Sequence, residues 1–395
     1  MDASQSPLKV QTEHGDVSVA TRAEIQQNPA WRQAFANRHK DHRYYEIVEE
    51  TLHQGFEHRY FVLEDKSGNT RAIQPFFLLD QDLLQGSGGF GRFVDRTIRR
   101  GFPRCLKART LMVGCAAGEG HLDYTDPEAG AWVSRCLHAA LKQHARNAKA
   151  ALVVLKEFPS EYRGVLSTFA RNGYARVPSL PMIRLNIRFD SFETYMSKVL
   201  SKVTRKNLRR KFRAAAESAP IEMSVVDDVS PYAEELYPLY LQVYERSALH
   251  FEKLTPEFLR RLGRDMPDKA RFFIWRQNGK AIAFSICLIH GDSLHDEYLG
   301  LDYSVALDLH LYFVTLRDVL QWAMERGYHW YCSTSMGYDP KLHMRCELAP
   351  LDLYVAHTSP IANFFLRRIL PWMEPTRGDK TLKQFPNYNA VWGDA

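Results

Sequence analysis

The side chains with the greatest chemical capacity gather in the last third of the chain. His295-Asp296-Glu297-Tyr298-Leu299-Gly300-Leu301-Asp302-Tyr303 reads as a strand running into a polar loop, and Asp308-Leu309-His310 opens a helix. Along a strand, Asp296, Tyr298 and Gly300 share one face, and His295, Glu297 and Leu299 the other. A carboxylate near a strand end can serve as a general base, directly or through one water. Glu297 is the first candidate, with Tyr303 as a proton donor to a leaving group. His310 falls in the first helical turn, where the macrodipole keeps an imidazole neutral, so it is the second candidate base. The same carboxylates could instead pair with Lys or Arg across a sheet.

Ser333-Thr334-Ser335-Met336-Gly337-Tyr338-Asp339-Pro340-Lys341-Leu342-His343 follows an apolar strand. It therefore lies at a strand's carboxyl end, where ligands collect in α/β sheets. Ser333, Ser335 and Lys341 could bind an acyl oxygen or a phosphate, and Tyr338 is another candidate proton donor. A plain polar turn would read the same way.

Charge adds a second feature. Lys+Arg number 52 against 46 Asp+Glu, a net +6, but the excess is local. Between Glu193 and Glu217 stand Lys198, Lys202, Arg205, Lys206, Arg209, Arg210, Lys211 and Arg213 with no acid. On one helix, most of these share a stripe roughly 100° wide. Such a stripe suits a phosphate-bearing substrate, an RNA backbone or an acidic membrane surface, unless it is simply a solvated face. Lys202, Arg205 and Arg209 are the leading anion-binding candidates. A second basic run, Arg92 to Arg109, is opposed only by Asp95.

Other motifs are weaker. Gly86-Ser87-Gly88-Gly89-Phe90-Gly91 matches GxGxxG, but it follows a hairpin strand, and Arg99, Gly101 and Pro103 soon break any helix after it. A basic loop closing over a phosphate fits better than a dinucleotide fold. Gly114 to His121 reads as a tight turn with a bulge. His121 and Asp123 are two apart, with nothing nearby to complete a metal site, and no HExxH, P-loop or GxSxG occurs. No resident metal is expected. Cys105, Cys115, Cys136, Cys287, Cys332 and Cys346 are scattered without a CxxC pair, as in reduced cytosolic proteins.

The elements that must position these residues form a repeating order. His58–Leu63, a Glu64–Asn69 turn and Arg71–Leu79 make a hairpin; Arg271–Arg276, Gln277-Asn278-Gly279 and Lys280–Ile289 make another. In the first half a strand near Thr110 to Gly114, a helix from Pro127 to Ala148 and a strand from Ala151 to Leu155 follow. In the second, a strand from Ser293 to Leu301, a helix from Leu309 to Arg326 and a strand from His329 to Ser333 do. Asn172-Gly173-Tyr174 and Arg326-Gly327-Tyr328 close a helix in each half. The duplication spans about 190 to 200 residues, too long for a solenoid repeat. It divides the chain into domains 1–180 and 181–395, with the basic helix 194–217 in the second and a boundary near Pro178 to Pro181. Hydrophobic residues at 45% and charged residues at 25% exclude a disordered or collagen-like chain. No apolar run reaches the roughly 18 residues of a membrane span, and the first residues lack a secretory pattern. Pro360 to Trp372 is apolar and aromatic with two arginines, which suits a terminal helix docked on the core or one lying on a membrane surface.

The order hairpin, strand, helix, strand resembles the GNAT acetyltransferase fold. Two copies joined by a basic helix resemble the Fem-type aminoacyl ligases and the bacterial N-acyltransferases related to them. The segments carrying the likeness are Phe192-x-x-Tyr195, Leu200-Ser201-Lys202 and Arg205-Lys206-Asn207-Leu208-Arg209-Arg210, then Leu309-His310, Ala323-x-x-x-Gly327, Tyr338-x-x-Lys341 and Pro350. The resemblance covers most of residues 30 to 360. It implies an α/β (α+β) enzyme of two tandem GNAT-like domains, with no permanent cofactor, that moves an acyl group from an activated ester or thioester to an amine. Where an acetyltransferase has a glycine-rich pyrophosphate loop, this chain has Tyr303-Ser304-Val305-Ala306-Leu307-Asp308. The donor therefore stays open among acyl-CoA, acyl carrier protein and aminoacyl-tRNA. The acceptor would be a small-molecule or lipid-linked amine. Alternatives are a Fem-like tRNA-dependent aminoacyl transferase or a non-catalytic anion- or membrane-binding module. A cytoplasmic monomer or dimer is expected, with a peripheral contact at the inner membrane surface as an option.

Overall fold

The computed structural model describes residues 9–82, 107–247, 250–335 and 337–393. The Gly86–Gly91 motif and the basic run through residue 106 lie outside the described residues. By its internal contacts the chain divides into two compact units. One comprises Met1–Leu180, Pro350–Asp379 and Val391–Ala395; the other comprises Pro181–Ala349 and Lys380–Ala390.

The first unit runs β1 (Val10–Gln11), β2 (Asp16–Ala20), α1 (Arg22–Ile25), α2 (His42–Thr51), β3 (Glu57–Glu64), β4 (Thr70–Asp82), β5 (Lys107–Val113), α3 (Pro127–Asn147), β6 (Leu152–Pro159), α4 (Ser167–Arg171) and β7 (Ala175–Pro178). A 3-10 turn at Trp31–Gln33 precedes α2. The hairpin turn is built by Asp65, whose Oδ1 accepts from the backbone N–H of Ser67 and Asn69. Asp126 caps α3 by accepting from Ala129 N, and Pro127 stands in the first turn, where its missing N–H costs nothing. Val133, Leu137, Ala140, Leu141 and Ala145 recur at helical spacing and bury that face in the sheet's core.

The eighth strand of this sheet comes from far along the chain. β15 (Leu351–His357) lies between β6 and β7, antiparallel to both, in the order β1-β2-β3-β4-β5-β6-β15-β7. A helix, Pro360–Met373, follows it in the same unit. The cut at residue 180 leaves this segment with the second domain, whereas its backbone pairs in the first. Buried backbone groups on the facing edges of β6 and β7 need partners, and β15 supplies both. Tyr354 and Ala356 are buried in the first unit's core. Asp352, also buried, accepts from Arg163 Nε at 2.6 Å.

The second unit contains β8 (Met182–Asn186), α5 (Phe192–Val199), α6 (Lys202–Ala216), β9 (Ile221–Val226), α7 (Ala233–Arg246), α8 (Pro256–Asp265), β10 (Ala270–Gln277), β11 (Lys280–His290), β12 (Ser293–Leu301), α9 (Leu311–Glu325), β13 (Trp330–Ser333), α10 (Tyr338–His343) and β14 (Glu347–Ala349). The sheet order is β14-β8-β13-β12-β11-β10-β9. Asn278 and Gly279, with φ of 51° and 78°, form the tight turn expected of Asn-Gly between two strands.

Two readings need correction. The basic segment is two helices: Leu200 is extended, and Ser201 caps α6 by accepting from Thr204 N. Lys198 is therefore on α5 and leaves the stripe. The two Gly-aromatic steps are also not equivalent. Gly327 ends the helix before β13, whereas Gly173 follows α4, after β6. The helix before β6 closes instead near Lys149, a non-glycine residue at φ 57°.

If β15 is integral to the first unit's core, Tyr354→Ala lowers unfolding free energy by about 3 kcal/mol in a denaturant titration. Leu307→Ala, at a side chain 73% exposed, changes it by less than about 0.5 kcal/mol.

Candidate active site in the second unit

The site is defined by where two parallel strands stop pairing. β12 and β13 are in register from Ser293↔Trp330 to Asp296↔Ser333, and β13 then ends. β12 continues to Leu301 with β11 as its partner on the other side. Among the described residues, no strand pairs with Leu299–Leu301 on the β13 side. A free strand edge offers alternating N–H and C=O groups to an extended ligand.

A bulge lies where the pairing stops. Ile286 faces Tyr298 and Cys287 faces Asp296, so Glu297 is the extra residue. A bulge re-aims side chains and increases local twist. Glu297 is buried. Its neighbour Asp296 is fully engaged: Tyr331 Oη donates to it at 2.6 Å, and the Ser285 hydroxyl donates to its other oxygen. Burial raises the Asp296 pKa, and these donors oppose the rise.

Beyond β13 the loop is pinned by Lys341. Its buried Nζ donates to the Thr334 carbonyl at 2.7 Å, and burial lowers its pKa to about 8, against the pull of nearby Asp296. Ser333, the last residue of β13, is buried, and Ser335 is half-buried on the loop that follows. The Tyr338 hydroxyl, a candidate proton donor, donates to the Pro181 carbonyl at 2.8 Å. Tyr312, not singled out from the sequence, has its hydroxyl 3.9 Å from where a Cβ on Gly337 would stand. Burial raises its pKa, and Cys346 and Asp296 add to the rise. Only its place one residue into α9 could have flagged it.

His310 is the residue before α9 and not in its first turn, with a left-handed φ of 50°. Its pKa is lowered by burial first, then by the charges of Lys211 and Arg210. Those two α6 cations thus stand near the start of α9, and Lys211 Nζ lies 4.1 Å over the Phe313 ring. Tyr303 donates its backbone N–H to Gln242 Oε1, and the Arg246 guanidinium stacks on its ring at 4.1 Å.

The predicted anion binders separate. Arg205 donates to the carbonyls of Ser197 and Leu200, closing the carboxyl end of α5. Arg209 pairs with Glu193. Lys202 is exposed at the first position of α6. A groove of about 470 Å³ between α5, α6 and α9 is lined by Phe192, Met196, Phe212, Arg209, Arg213 and Arg317 with two acids.

The first unit has the same strand pair with a different ending. β5 and β6 are in register from Thr110↔Leu152 to Val113↔Leu155. The chain then turns through Gly114–Gly120 and comes back onto β6: Gly120 N donates to the Glu157 carbonyl at 3.1 Å. Lys156 Nζ donates to Gly118 O at 2.8 Å. A Cβ on Gly120 would strike the Lys156 carbonyl oxygen, so only glycine fits this approach. The segment read as a tight turn fills its own cleft.

Beneath it lies a charged cluster that the sequence reading missed. Lys40 Nζ donates to Glu119 Oε2 at 2.6 Å, both residues buried. His39 and His121 approach the other carboxylate oxygen at 2.9 and 3.2 Å, and Tyr162 Oη lies 3.0 Å from His121 Nδ1. Burial pushes the Glu119 pKa up, but Lys40 and His39 outweigh it and hold the pKa well below the carboxylate range. His39, Glu119 and His121 each offer one metal-ligand atom within 4.8 Å. The Lys40 ammonium already supplies the cation there. The cluster joins residues 79 positions apart, and no local spacing announces it.

Residues 202–339 match the acetyltransferase (GNAT) domain family. The matched segment lies within the second unit, which carries an acyltransferase domain. Among solved structures, FemX aligns over 87% of this chain and 96% of its own at 10% identity, with a TM-score of 0.51. The fold is a tandem GNAT fold. The C-terminal domain of a lysylphosphatidylglycerol synthetase from Agrobacterium fabrum aligns over 88% of this chain and 96% of its own at 13% identity, with a TM-score of 0.48. A tandem GNAT protein from the clavulanic acid biosynthesis pathway aligns over 80% and 87% at 12% identity, with a TM-score of 0.44. No curated protein matches the sequence.

Removing one partner of the buried pair strands a charge. Lys40→Met costs about 3–5 kcal/mol of stability. Lys40→Met with Glu119→Gln recovers part of that loss, so a double-mutant cycle by denaturant titration gives a non-additive result.

Proposed function

We propose that the chain is an N-acyltransferase whose thioester donor lies along the free β12 edge of the second unit. The observation that carries this reading is the end of β12, where no strand pairs with Leu299–Leu301 on the β13 side among the described residues, set against the self-filled counterpart in the first unit. The amide-bearing arm of an acyl-CoA can extend as an added strand and take up those backbone groups. Arg210, Lys211 and His310 near the start of α9 would receive the pyrophosphate in place of a glycine-rich loop. The acceptor is a small-molecule or lipid-linked amine.

The amine nitrogen attacks the thioester carbonyl, the C–N bond forms, and the tetrahedral intermediate releases the thiolate as the C–S bond breaks. Backbone N–H groups at Leu299–Leu301 of β12 would stabilise the oxyanion. Glu297 would accept the amine proton, directly or through water. Tyr312 is a better-placed proton donor to the thiolate than Tyr338, whose hydroxyl is held by Pro181. Tyr303 would line the donor's path. Lys341, with Ser333 at the end of β13 and Ser335 on the loop it pins, acts through position and charge.

The exposed face of α6 supports a second reading, a Fem-like transfer from aminoacyl-tRNA or delivery by an acyl carrier protein. Lys202, Lys206, Arg210 and Arg213 are exposed on a helix that contains no acid. A macromolecular donor would contact that face, and its binding would fall steeply with salt.

With an acyl-CoA and a panel of amines, Glu297→Gln lowers kcat by about 100-fold or more with little change in KM. Arg210→Glu with Lys211→Glu raises the donor KM and leaves kcat nearly unchanged. No effect from either would remove the assignment. Donor binding seen only with tRNA or a loaded carrier, and abolished by salt, would favour the second reading.

The Lys341 pKa sets a pH dependence. Its folded value of about 8 lies below the ordinary 10.5, so between them the unfolded chain holds more protons. This group's penalty is present in full below about pH 8 and is relieved as pH rises. The stability of the native chain relative to Lys341→Met therefore increases from pH 8 to 10, read by chemical denaturation.

A further inference from the structure

The helix Pro360–Met373 of the first unit, α11, carries its apolar residues on the outside. Ten large hydrophobic side chains are exposed among the described residues, and six of them belong to this one helix: Ile361, Phe364, Phe365, Ile369, Trp372 and Met373. Trp372 is 83% exposed and Ile361 75%. At 100° per residue these six fall on one arc of about 180°, with Arg368 among them and Arg367 exposed about 60° beyond its edge.

The inner face explains why the helix stays put without burying that arc. Asn363 is buried; its Nδ2 donates to the Gly173 carbonyl at 2.8 Å, and its Oδ1 accepts from His357 N at 2.8 Å. A polar anchor fixes the helix to the end of the sheet, and Leu366 and Leu370 are half-buried beside it. An outward aromatic arc of this size on a soluble surface marks an interaction site.

Charge selects the occupant. The sequence Pro360–Met373 contains no acid, and the first one after it, Glu374, is buried against Thr376 and Arg377. Arg367 and Arg368 have no acidic partner within 4.0 Å among the described residues. Arg368 lies 3.6 Å over the Phe364 ring, as a snorkelling side chain does. Arg367 is close enough to Lys142 to lower that amine's pKa, after burial and together with Arg146. A field of unopposed cations thus borders an aromatic face. No helix among the described residues is long and apolar enough to cross a membrane. We infer that α11 is an in-plane docking element for an anionic lipid surface, with its aromatic arc at the headgroup boundary and its arginines on lipid phosphates.

The experiment is vesicle flotation of the full chain with about 3:7 phosphatidylglycerol:phosphatidylcholine and with phosphatidylcholine alone. The chain should float with the anionic vesicles and much less with the neutral ones. Phe365→Ser with Trp372→Ser lowers the bound fraction by about tenfold, and Arg367→Glu with Arg368→Glu removes the preference for anionic lipid. All four positions are exposed, so the thermal midpoint stays unchanged and loss of binding is not loss of fold. Brominated lipid should quench a fluorescence component that Trp372→Phe abolishes. No flotation, flotation indifferent to these substitutions, or a dimer in sedimentation that the serine pair dissolves would overturn the proposal. The readout is independent of turnover, so an inactive chain that floats leaves this inference standing and counts only against the acyltransferase reading.

Discussion

Both units are organised by the place where a short parallel ladder ends. In each unit a strand leaves a β-hairpin, a helix crosses over, and the returning strand pairs in parallel over four residues. Such crossovers need a helix between the strands, and the ladder's end leaves backbone donors and acceptors without partners on the diverging edge. Something must satisfy them. In the first unit it is the chain itself, through Gly120 on Glu157 and Lys156 on Gly118. In the second unit no strand pairs with Leu299–Leu301 on that side among the described residues. One architecture repeated with two endings gives one filled cleft and one open cleft.

The filled cleft is expensive to hold, and the first unit supports it with a buried ion pair. Glu119 stays ionised because Lys40 and His39 surround it, and the loop carrying Glu119 is the one that closes the cleft. A paired buried charge adds little net stability but is costly to break, so it fixes one loop conformation more than it strengthens the fold. The same unit draws β15 and its helix from beyond the second unit's stretch of chain. That arrangement brings Asp352 beneath Arg163 and anchors α11 through Asn363.

Much of this was legible in the sequence because local chemistry decides it. The Asn278-Gly279 turn and the Asp126-Pro127 cap each specify their own geometry, whereas the alternation read along β12 breaks at the Glu297 bulge: Asp296 and Tyr298 oppose the successive residues Cys287 and Ile286 and so do not share a face. The repeated order of hairpin, strand, helix and strand was legible from such elements. Long-range pairing was not legible: nothing near Leu351 states that it will lie between β6 and β7. Site chemistry was legible by residue type only. Glu297 stood out as a carboxylate near a strand end, but the bulge that re-aims it depends on the register with Cys287 and Ile286. Tyr338 and Arg205 looked available, and both are occupied by backbone carbonyls that spacing does not reveal. The apolar tail was read either way, and only burial showed which face Trp372 takes.

The central claim is that the second unit's β12 edge, and not its first-unit counterpart, receives the acyl donor. Amide hydrogen exchange with and without an acyl-CoA tests it most directly. Protection gained at Leu299–Leu301 and around the start of α9, with Gly114–Gly120 unchanged, is the predicted result. Protection confined to Gly114–Gly120, or none at β12 under saturating donor, would contradict it.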